Sequence, residues 1–278
     1  MRALKSIGSK FRIMPAIRQA LADLGGDPTM DLLVDVFGGS GTVSMNAGFS
    51  KRVYNDADGD LVNFFQVLRD DALRPALFRV LRNLPMSRRE FNTYRAIYVG
   101  GGNSFHRLAP VERAAAIFFV ANYSYGGKLK NGGFSVSAQD RNFIKENATY
   151  LARLRNLHRV AEFWKSTCIE SGDFQRVIQI YGSRGNAILY CDPPYFGTEA
   201  YYSRSLSPGD HSFLAEQLNA TPARALVSYY RFDGIEDLYP PSVWEYRVVN
   251  ATKNCLKTGS KKERVEELLL LKSMQTPS

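Results

Sequence analysis

Residues 192–195, with the sequence DPPY, place a carboxylate, two prolines and an aromatic ring directly after an apolar segment. The apolar segment, residues 187–192 (AILYCD), predicts a strand that ends on the carboxylate, and ligand sites of open α/β sheets lie just beyond such strand ends. The carboxylate of Asp192 and the backbone carbonyl of Pro193 can each accept a hydrogen bond from an amine. Together they would draw the nitrogen of a conjugated amine, such as the exocyclic amine of adenine, towards the tetrahedral geometry of a nucleophile.

The prolines and the tyrosine add rigidity and a binding surface to this segment. Because Pro194 has no N–H, it cannot draw the segment into a helix, and the paired prolines fix the turn before an amine arrives. Tyr195 offers a ring face on which an extruded base could stack. The alternative is purely structural: a strand-ending turn with a tyrosine packed on it.

A glycine-rich segment provides the second candidate site. In DVFGGSGT, the glycines Gly38, Gly39 and Gly41 let the backbone turn sharply and approach a ligand closely. Asp56 ends the next predicted strand, where an acid can accept hydrogen bonds from ribose hydroxyls. The third glycine of GxGxxG is missing at its spacing, and no Gly-Lys-Ser/Thr of a P-loop follows. A nucleoside cofactor without pyrophosphate, such as S-adenosylmethionine, fits better, and the alternative for the glycines alone is an ordinary tight turn.

The composition favours a basic, globular protein. The 278 residues are 45% hydrophobic and carry 36 Lys and Arg against 27 Asp and Glu, a formal charge of +9, which favours polyanionic partners. No apolar run approaches the roughly 18 residues of a membrane span, and the N-terminus lacks the apolar part of a signal peptide. The three cysteines form no CxxC pair, and the three histidines lack metal-ligand spacing. We therefore expect a cytoplasmic protein without a metal, and a monomer, with a dimer on DNA as the alternative.

The periodicity of apolar residues predicts one open α/β sheet interrupted by an insertion. Strand and helix patterns alternate in residues 1–60 and again in residues 166–278, which we predict to form one discontinuous domain. Residues 61–165 carry apolar residues at helical spacing and predict a mainly helical domain. Two Gly-Gly pairs interrupt this block and predict a hairpin or a mobile loop near residues 122–137.

These motifs and their order resemble the Dam-like D12 class of N6-adenine-specific DNA methyltransferases. IGSK (residues 7–10) resembles the N-terminal cofactor motif of that family, DVFGGSGTVS its FxGxG cofactor loop, and YND (residues 54–56) its ribose-binding acid. SGDF (residues 171–174) resembles the segment that holds the adenine of the cofactor, and DPPYFGTEAYY the catalytic motif with its following loop. The resemblance covers most of the chain. It implies a Rossmann-like S-adenosylmethionine-dependent methyltransferase sheet, with the helical insertion as a target-recognition domain.

Carried over to this sequence, the resemblance implies roles for individual residues. It implies catalytic roles for Asp192, Pro193 and Tyr195. It also implies double-stranded DNA as the substrate, N6 of a flipped adenine as the methyl acceptor and S-adenosylmethionine as the methyl donor. The implied cofactor contacts are Gly8, Ser9, Lys10, Asp35, Phe37, Gly39, Gly41, Asp56, Asp173, Phe174 and Asp192.

Contacts to DNA are expected around the glycine-rich part of the helical block. Lys and Arg side chains neutralise phosphates, and an aromatic side chain can fill the gap that an extruded base leaves. NYSYGGKLKNGGF supplies such side chains, and basic residues flank it; the alternative for any one charge is a solvated helix face. The expected DNA contacts are Tyr123, Tyr125, Lys128, Lys130, Arg88, Arg89 and Arg141.

Two other functions stay open at this point. The DPPY geometry would also suit another amine acceptor, namely RNA adenine, cytosine or a protein amide. A catalytically inactive DNA-binding relative is the second alternative, and the intact FxGxG motif, Asp56 and DPPY argue against it. The short chain without a restriction domain favours a solitary modification enzyme over a partner in a restriction–modification system.

Overall fold

The computed structural model describes residues 1–5, 9–84, 86–99, 107–135, 142–195, 206–252 and 264–274. The chain divides into two compact units. The sheet unit consists of Lys10–Ala57 and Thr167–Ser278, and the helical unit consists of Met1–Ser9 and Asp58–Ser166.

Strands form one sheet in the sheet unit. In chain order they are β1 (Leu32–Asp35), β2 (Lys51–Asn55), β3 (Cys168–Glu170), β4 (Ala187–Cys191), β5 (Arg224–Tyr230), β6 (Glu245–Thr252) and β7 (Arg264–Lys272). Within the described residues the sheet has seven strands in the spatial order β3-β2-β1-β4-β5-β7-β6. The first five strands are parallel, and β7 runs antiparallel between β5 and β6. This α/β sheet confirms the predicted fold class.

The strand order reverses beside β1. The chain passes from β1 to β2 and β3 on one side, and β4 then pairs with β1 on the other side. Such a switch point opens a crevice beyond the carboxyl ends of the two central strands. The Cα atom of Asp35 pairs in register with that of Tyr190, so the glycine segment and DPPY leave the sheet at the same edge.

Helices of the described residues belong to both units. In chain order they are α1 (Met14–Asp23), α2 (Thr42–Asn46), α3 (Gly59–Arg69), α4 (Arg74–Asn83), α5 (Arg88–Val99), α6 (Pro110–Tyr123), α7 (Asn142–Lys165), α8 (Phe174–Tyr181), α9 (Pro208–Ala220) and α10 (Ile235–Leu238). The helices expected in residues 61–165 are therefore confirmed. In the part of the chain that is described, no helix has both the length and the apolar character that a membrane crossing requires.

The central strands are continuous apolar segments because both faces of the sheet are covered. Ile188 of β4 belongs to the core cluster that contains residues of α1, whereas Leu189 belongs to the cluster that contains residues of α8 and α9. Leu226 and Val227 of β5 divide between the same two clusters. The sheet edge that carries both candidate motifs is thus built on a core with two well-packed layers.

The helical unit has a core of its own around α6. Ala114–Tyr123 are all buried, which explains why this helix lacks a polar face. Phe65 stacks on Trp164 with ring centroids 4.0 Å apart, and Phe64 lies 6.0 Å from Phe118. Residues at the helical spacing recognised in the sequence therefore form the contacts between α3, α6 and α7.

The glycine-rich loop after α6 is closed as a short hairpin. Ser124 and Phe134 form an antiparallel bridge, and the backbone N–H of Tyr125 donates a hydrogen bond to the carbonyl of Gly133 across 2.8 Å. Tyr125–Gly127 form a 3₁₀ turn at its start. The sequence left a hairpin and a mobile loop as alternatives for this segment, and the geometry is that of a hairpin.

Candidate active site

The ring of Tyr54 shapes the glycine loop that follows β1. A Cβ atom on Gly38 would lie 2.1 Å from Cε2 of Tyr54, so only glycine fits there. The hydroxyl of Tyr54 donates a hydrogen bond to the carbonyl of Gly39 across 2.8 Å. Gly41 has φ of 67°, a left-handed conformation that glycine adopts without strain. The glycines therefore allow a sharp turn that packs directly on β2.

The acid after β2 is bound to the same loop. The backbone N–H of Gly39 donates to Oδ2 of Asp56 across 2.7 Å. The side-chain amide of Asn55 donates to the carbonyl of Val36 across 3.0 Å, and its Oδ1 accepts from the N–H of Gly172 across 3.0 Å. Asn55 thereby ties together the segments that follow β1 and β3, with Asp56 directly beside them.

Two aromatic rings lie against one another beside these segments. The ring centroids of Phe37 and Phe174 are 5.5 Å apart; Phe174 is buried and Phe37 is half-buried. Oδ1 of Asp173 accepts a hydrogen bond from the N–H of Gln175 across 2.8 Å and caps α8, which positions Phe174 at the start of that helix. A cofactor contact of Asp173 itself stays a prediction.

Asp35 does not have the environment of a ligand contact, and this corrects the sequence prediction. It is 1% exposed, and its Oδ2 accepts hydrogen bonds from the backbone N–H and the hydroxyl of Ser44 at 3.1 and 2.6 Å. Burial raises the pKa of Asp35 to about 7, although both bonds from Ser44 lower it. Asp35 therefore anchors α2 beneath the glycine loop.

The carboxylate of Asp192 is held through one of its two oxygens. Oδ1 accepts hydrogen bonds from the hydroxyls of Tyr195 and Ser228, each across 2.9 Å. The ammonium Nζ of Lys10 lies 2.8 Å from the same oxygen. Oδ2 has no hydrogen-bond partner among the described residues, and 19% of the Asp192 side chain is exposed. The carboxylate is thus fixed through Oδ1 and open at Oδ2.

Tyr195 does not present the open ring face that the sequence predicts. It is only 4% exposed, its ring lies edge-on to Tyr230 with centroids 4.5 Å apart, and Nζ of Lys10 lies 4.9 Å from its centroid. Its hydroxyl bonds to Asp192 and to Oε1 of Glu267, the latter across 3.0 Å. In this structure the tyrosine packs against the carboxylate and helps to fix it.

Two further polar residues of this site were not predicted from the sequence. Ser228 lies on β5 and Glu267 on β7, and both are buried. Neither belongs to a motif quoted above. For Ser228 the signal is a polar side chain between apolar residues of a strand, which requires a specific partner when it is buried. Glu267 directly follows Glu266, so the sequence of β7 does not show which of the two is buried.

The structure contradicts one of the expected DNA contacts, Tyr123. It is 1% exposed, its ring stacks on Tyr150 with centroids 4.7 Å apart, and its hydroxyl donates to Oδ1 of Asn147 across 3.0 Å. The reason is that α6 extends to Tyr123, so this residue belongs to the core of the helical unit rather than to the loop.

The other expected DNA contacts in the described residues lie at or near the surface of the helical unit. Tyr125 is 66% exposed, Lys130 is exposed and Lys128 is half-buried. Arg88 and Arg89 are exposed, and the guanidinium of Arg88 lies 5.1 Å from the ring centroid of Phe134 in the loop. The predicted residues Arg141 and Gly8 lie outside the described residues.

The remaining predictions concern Ser9 and metal ligands. Ser9 is half-buried at the start of the described segment that leads into Lys10. Across the described ranges, no group of three or more His, Cys, Asp or Glu side chains could hold a metal ion.

Comparison with known proteins identifies the family of the chain. It is 25% identical to the DNA adenine methylase of Serratia marcescens over 288 residues, which cover 96% of this chain and 97% of that protein. It is 24% identical to the DNA adenine methylase of Vibrio cholerae serotype O1, covering 96% and 94%. Identity to the DNA N-6-adenine-methyltransferase of Escherichia phage P1 is 26%, covering 69% of this chain and 23% of that protein. Residues 6–249 match the model of the D12 class N6 adenine-specific DNA methyltransferases, and the chain belongs to that family.

Proposed function

We propose that this chain transfers the methyl group of S-adenosylmethionine to N6 of an adenine that is flipped out of double-stranded DNA. Membership of the D12 class supports the reaction and the target atom. The observation that carries the proposal is the carboxylate of Asp192, which ends a central strand with Oδ1 anchored and Oδ2 open. Ligands of open α/β sheets bind at this strand end.

Asp192 and Pro193 would accept the two hydrogens of the adenine amine. Neither Oδ2 nor the carbonyl of Pro193 accepts a hydrogen bond from a described residue, so both are available. The two acceptors shift electron density on N6 towards a lone pair, so that N6 can form a bond to the methyl carbon as the carbon–sulfur bond breaks. The methylated nitrogen then releases one proton to water, and the cofactor leaves as S-adenosylhomocysteine. Because Asp192 is fixed before the base arrives, little entropy is lost when the amine is oriented.

Residues at the same sheet edge as Asp192 fit S-adenosylmethionine. Asp56, bound to the glycine loop, offers acceptors for ribose hydroxyls, and the rings of Phe37 and Phe174 offer an apolar surface for an adenine. When it is bound, the cofactor supplies a methyl group activated by a sulfonium.

The helical unit would bind the DNA and recognise its sequence. Its exposed side chains Tyr125, Lys130, Arg88 and Arg89, together with Lys128, suit contacts to phosphates and to the space left by an extruded base. The net charge of +9 supports binding to a polyanion. We propose that the protein does this as a monomer.

Nucleoside analysis of methylated substrates tests the proposal. The protein is incubated with labelled S-adenosylmethionine and, separately, with duplex DNA, RNA or a protein mixture, and the labelled products are identified. We expect label in N6-methyladenine from duplex DNA. Label in N4-methylcytosine, in RNA or in protein would indicate another amine acceptor, and the absence of label from every substrate would contradict methyl transfer.

A further inference from the structure

Glu267 is a buried carboxylate in the middle of an apolar strand. It lies on β7, where the next four residues, Leu268–Leu271, are all buried in the core. Burying a carboxylate is unfavourable unless it is paired and hydrogen-bonded, so a glutamate at this position needs specific partners. Its partners, Lys10 and Tyr195, are two of the three groups that hold Asp192.

Four polar groups form a closed ring: the two carboxylates, the ammonium of Lys10 and the hydroxyl of Tyr195. Nζ of Lys10 lies 2.8 Å from Oδ1 of Asp192 and 3.2 Å from Oε1 of Glu267. The hydroxyl of Tyr195 lies 2.9 Å from Oδ1 of Asp192 and 3.0 Å from Oε1 of Glu267. An ammonium has three hydrogens and can donate to both carboxylates at once, whereas a hydroxyl has one hydrogen and alternates between them.

Within this ring of four polar groups, Lys10 and Tyr195 contact only one oxygen of Asp192, Oδ1. The hydroxyl of Ser228 is a third donor to Oδ1. The same hydroxyl lies 3.2 Å from the hydroxyl of Tyr190. Burial raises the pKa of Tyr190, so its hydroxyl stays protonated. Three donors therefore hold Oδ1, which restricts the torsion of the carboxylate. Oδ2 has no hydrogen-bond partner among the described residues.

We propose that Glu267 is a positioning residue for methyl transfer, which holds Lys10 and Tyr195 on Oδ1 of Asp192 so that Oδ2 alone meets the adenine amine. The inference rests on the proposed function. Without the carboxylate of Glu267, Lys10 loses one of its two acceptors in the ring and Tyr195 loses the second acceptor for its hydroxyl. The Asp192 carboxylate then samples orientations in which Oδ2 no longer faces the base.

The adjacent Glu266 provides a matched control. It lies on the same strand, but it is exposed and faces Arg231, with 3.6 Å between Oε2 and Nε. Glu267→Gln and Glu266→Gln make the same chemical change one residue apart, and only the first removes a charge from the ring. Both keep the volume of the side chain.

The experiment measures steady-state methyl transfer to duplex DNA, together with calorimetric binding of S-adenosylmethionine and the thermal midpoint of each variant. For Glu267→Gln we expect kcat to fall about 10- to 100-fold, as for a misplaced catalytic group, with the cofactor Kd and the KM for DNA unchanged. Glu266→Gln should match the wild type. A wild-type kcat in Glu267→Gln would overturn the inference, and so would a parallel loss of cofactor binding and folding, because that pattern indicates a merely structural role.

A double-mutant cycle with Tyr195→Phe separates the inference from the proposed function. If Glu267 acts through Tyr195 on Asp192, the double variant should lose clearly less kcat than the product of the two single losses. Strictly multiplicative losses would contradict the ring. If the wild type itself transfers no methyl group, the proposed function fails; if the wild type is active and the cycle is multiplicative, only the role of Glu267 fails.

Discussion

The hydroxyl of Tyr195 lies 2.9 Å from Oδ1 of Asp192, three residues earlier in the same DPPY segment. The tyrosine therefore acts on the carboxylate through its hydroxyl in addition to packing its ring against Tyr230. Since the same hydroxyl contacts Glu267, the segment after β4 is bound to β7, two strands away across the sheet. Contacts with the sheet therefore fix the Asp192 carboxylate before a substrate binds.

Removing only the hydroxyl of Tyr195 should slow methyl transfer. Tyr195→Phe keeps the ring but deletes one of three donors to a charged acceptor, an interaction of roughly 1.5 to 3 kcal/mol, so we expect kcat to fall about tenfold or more. Steady-state kinetics with duplex DNA measure this. Tyr229→Phe is the matched control, because it deletes a buried hydroxyl that lies 2.7 Å from Nδ1 of His211 instead. Equal kcat values for the two variants would contradict the role of the hydroxyl.

Tyr123 and Tyr125, two residues apart, should differ sharply in their effect on stability. Tyr123→Ala removes a buried ring that stacks on Tyr150, and we expect the free energy of unfolding to fall by about 3 to 5 kcal/mol. Tyr125→Ala removes an exposed ring and should change it by less than about 0.5 kcal/mol. Chemical denaturation of both variants checks this, and comparable losses would contradict a core position for Tyr123.

The lysines of the glycine-rich hairpin should account for part of the salt dependence of DNA binding. In the double variant Lys128→Ala/Lys130→Ala, affinity should fall, and the slope of log K against log salt should decrease by up to about two units. Binding isotherms at several salt concentrations measure both quantities. Arg155→Ala/Arg159→Ala, on the exposed face of α7, is the control for loss of two charges. Identical slopes in the wild type and the lysine variant would exclude this placement of DNA.

The buried carboxylate of Asp35 should make folding stability depend on pH. Its pKa is raised to about 7 in the folded protein, so the folded state retains a proton that the unfolded state releases above about pH 4. Stability should therefore fall between about pH 4 and pH 7. Asp35→Asn keeps an acceptor for Ser44 but does not titrate. Between about pH 4 and pH 7, the fall in the free energy of unfolding should therefore be smaller in this variant than in the wild type, by roughly 2 to 4 kcal/mol. Denaturation at pH 4.5 and pH 7.5 tests this prediction; a variant with an unchanged profile would assign the dependence to another group.

The sequence predicted which segments lie at the sheet edge more accurately than it predicted the contacts of their side chains. Glycines, strand-ending acids and paired prolines are local signals, so spacing alone predicted that Gly39, Asp56 and Asp192 follow strands, as they do in the structure. Whether a given side chain is exposed depends on what packs against it from elsewhere in the chain. Asp35 and Tyr123 were misassigned for this reason, and the exposed ring predicted for Tyr195 is absent.

Long-range partners were the other part that the sequence did not reveal. Ser228 and Glu267 reach Asp192 only because β5 lies beside β4 and β7 beside β5, an order that no local pattern specifies. The short strand β3 was also missed, since its three residues are too few for a periodic signal. The capping box at the start of α9, in contrast, is formed by residues close in sequence, Ser207 and Asp210.

The most direct test of the proposed mechanism is transfer of tritium from labelled S-adenosylmethionine to adenine in duplex DNA by the wild type and by Asp192→Ala, with cofactor binding measured on both. The account predicts transfer by the wild type, none detectable by the variant, and a cofactor Kd that is little changed, because Asp56 and the glycine loop remain intact. Substantial methylation of adenine by Asp192→Ala would contradict the account.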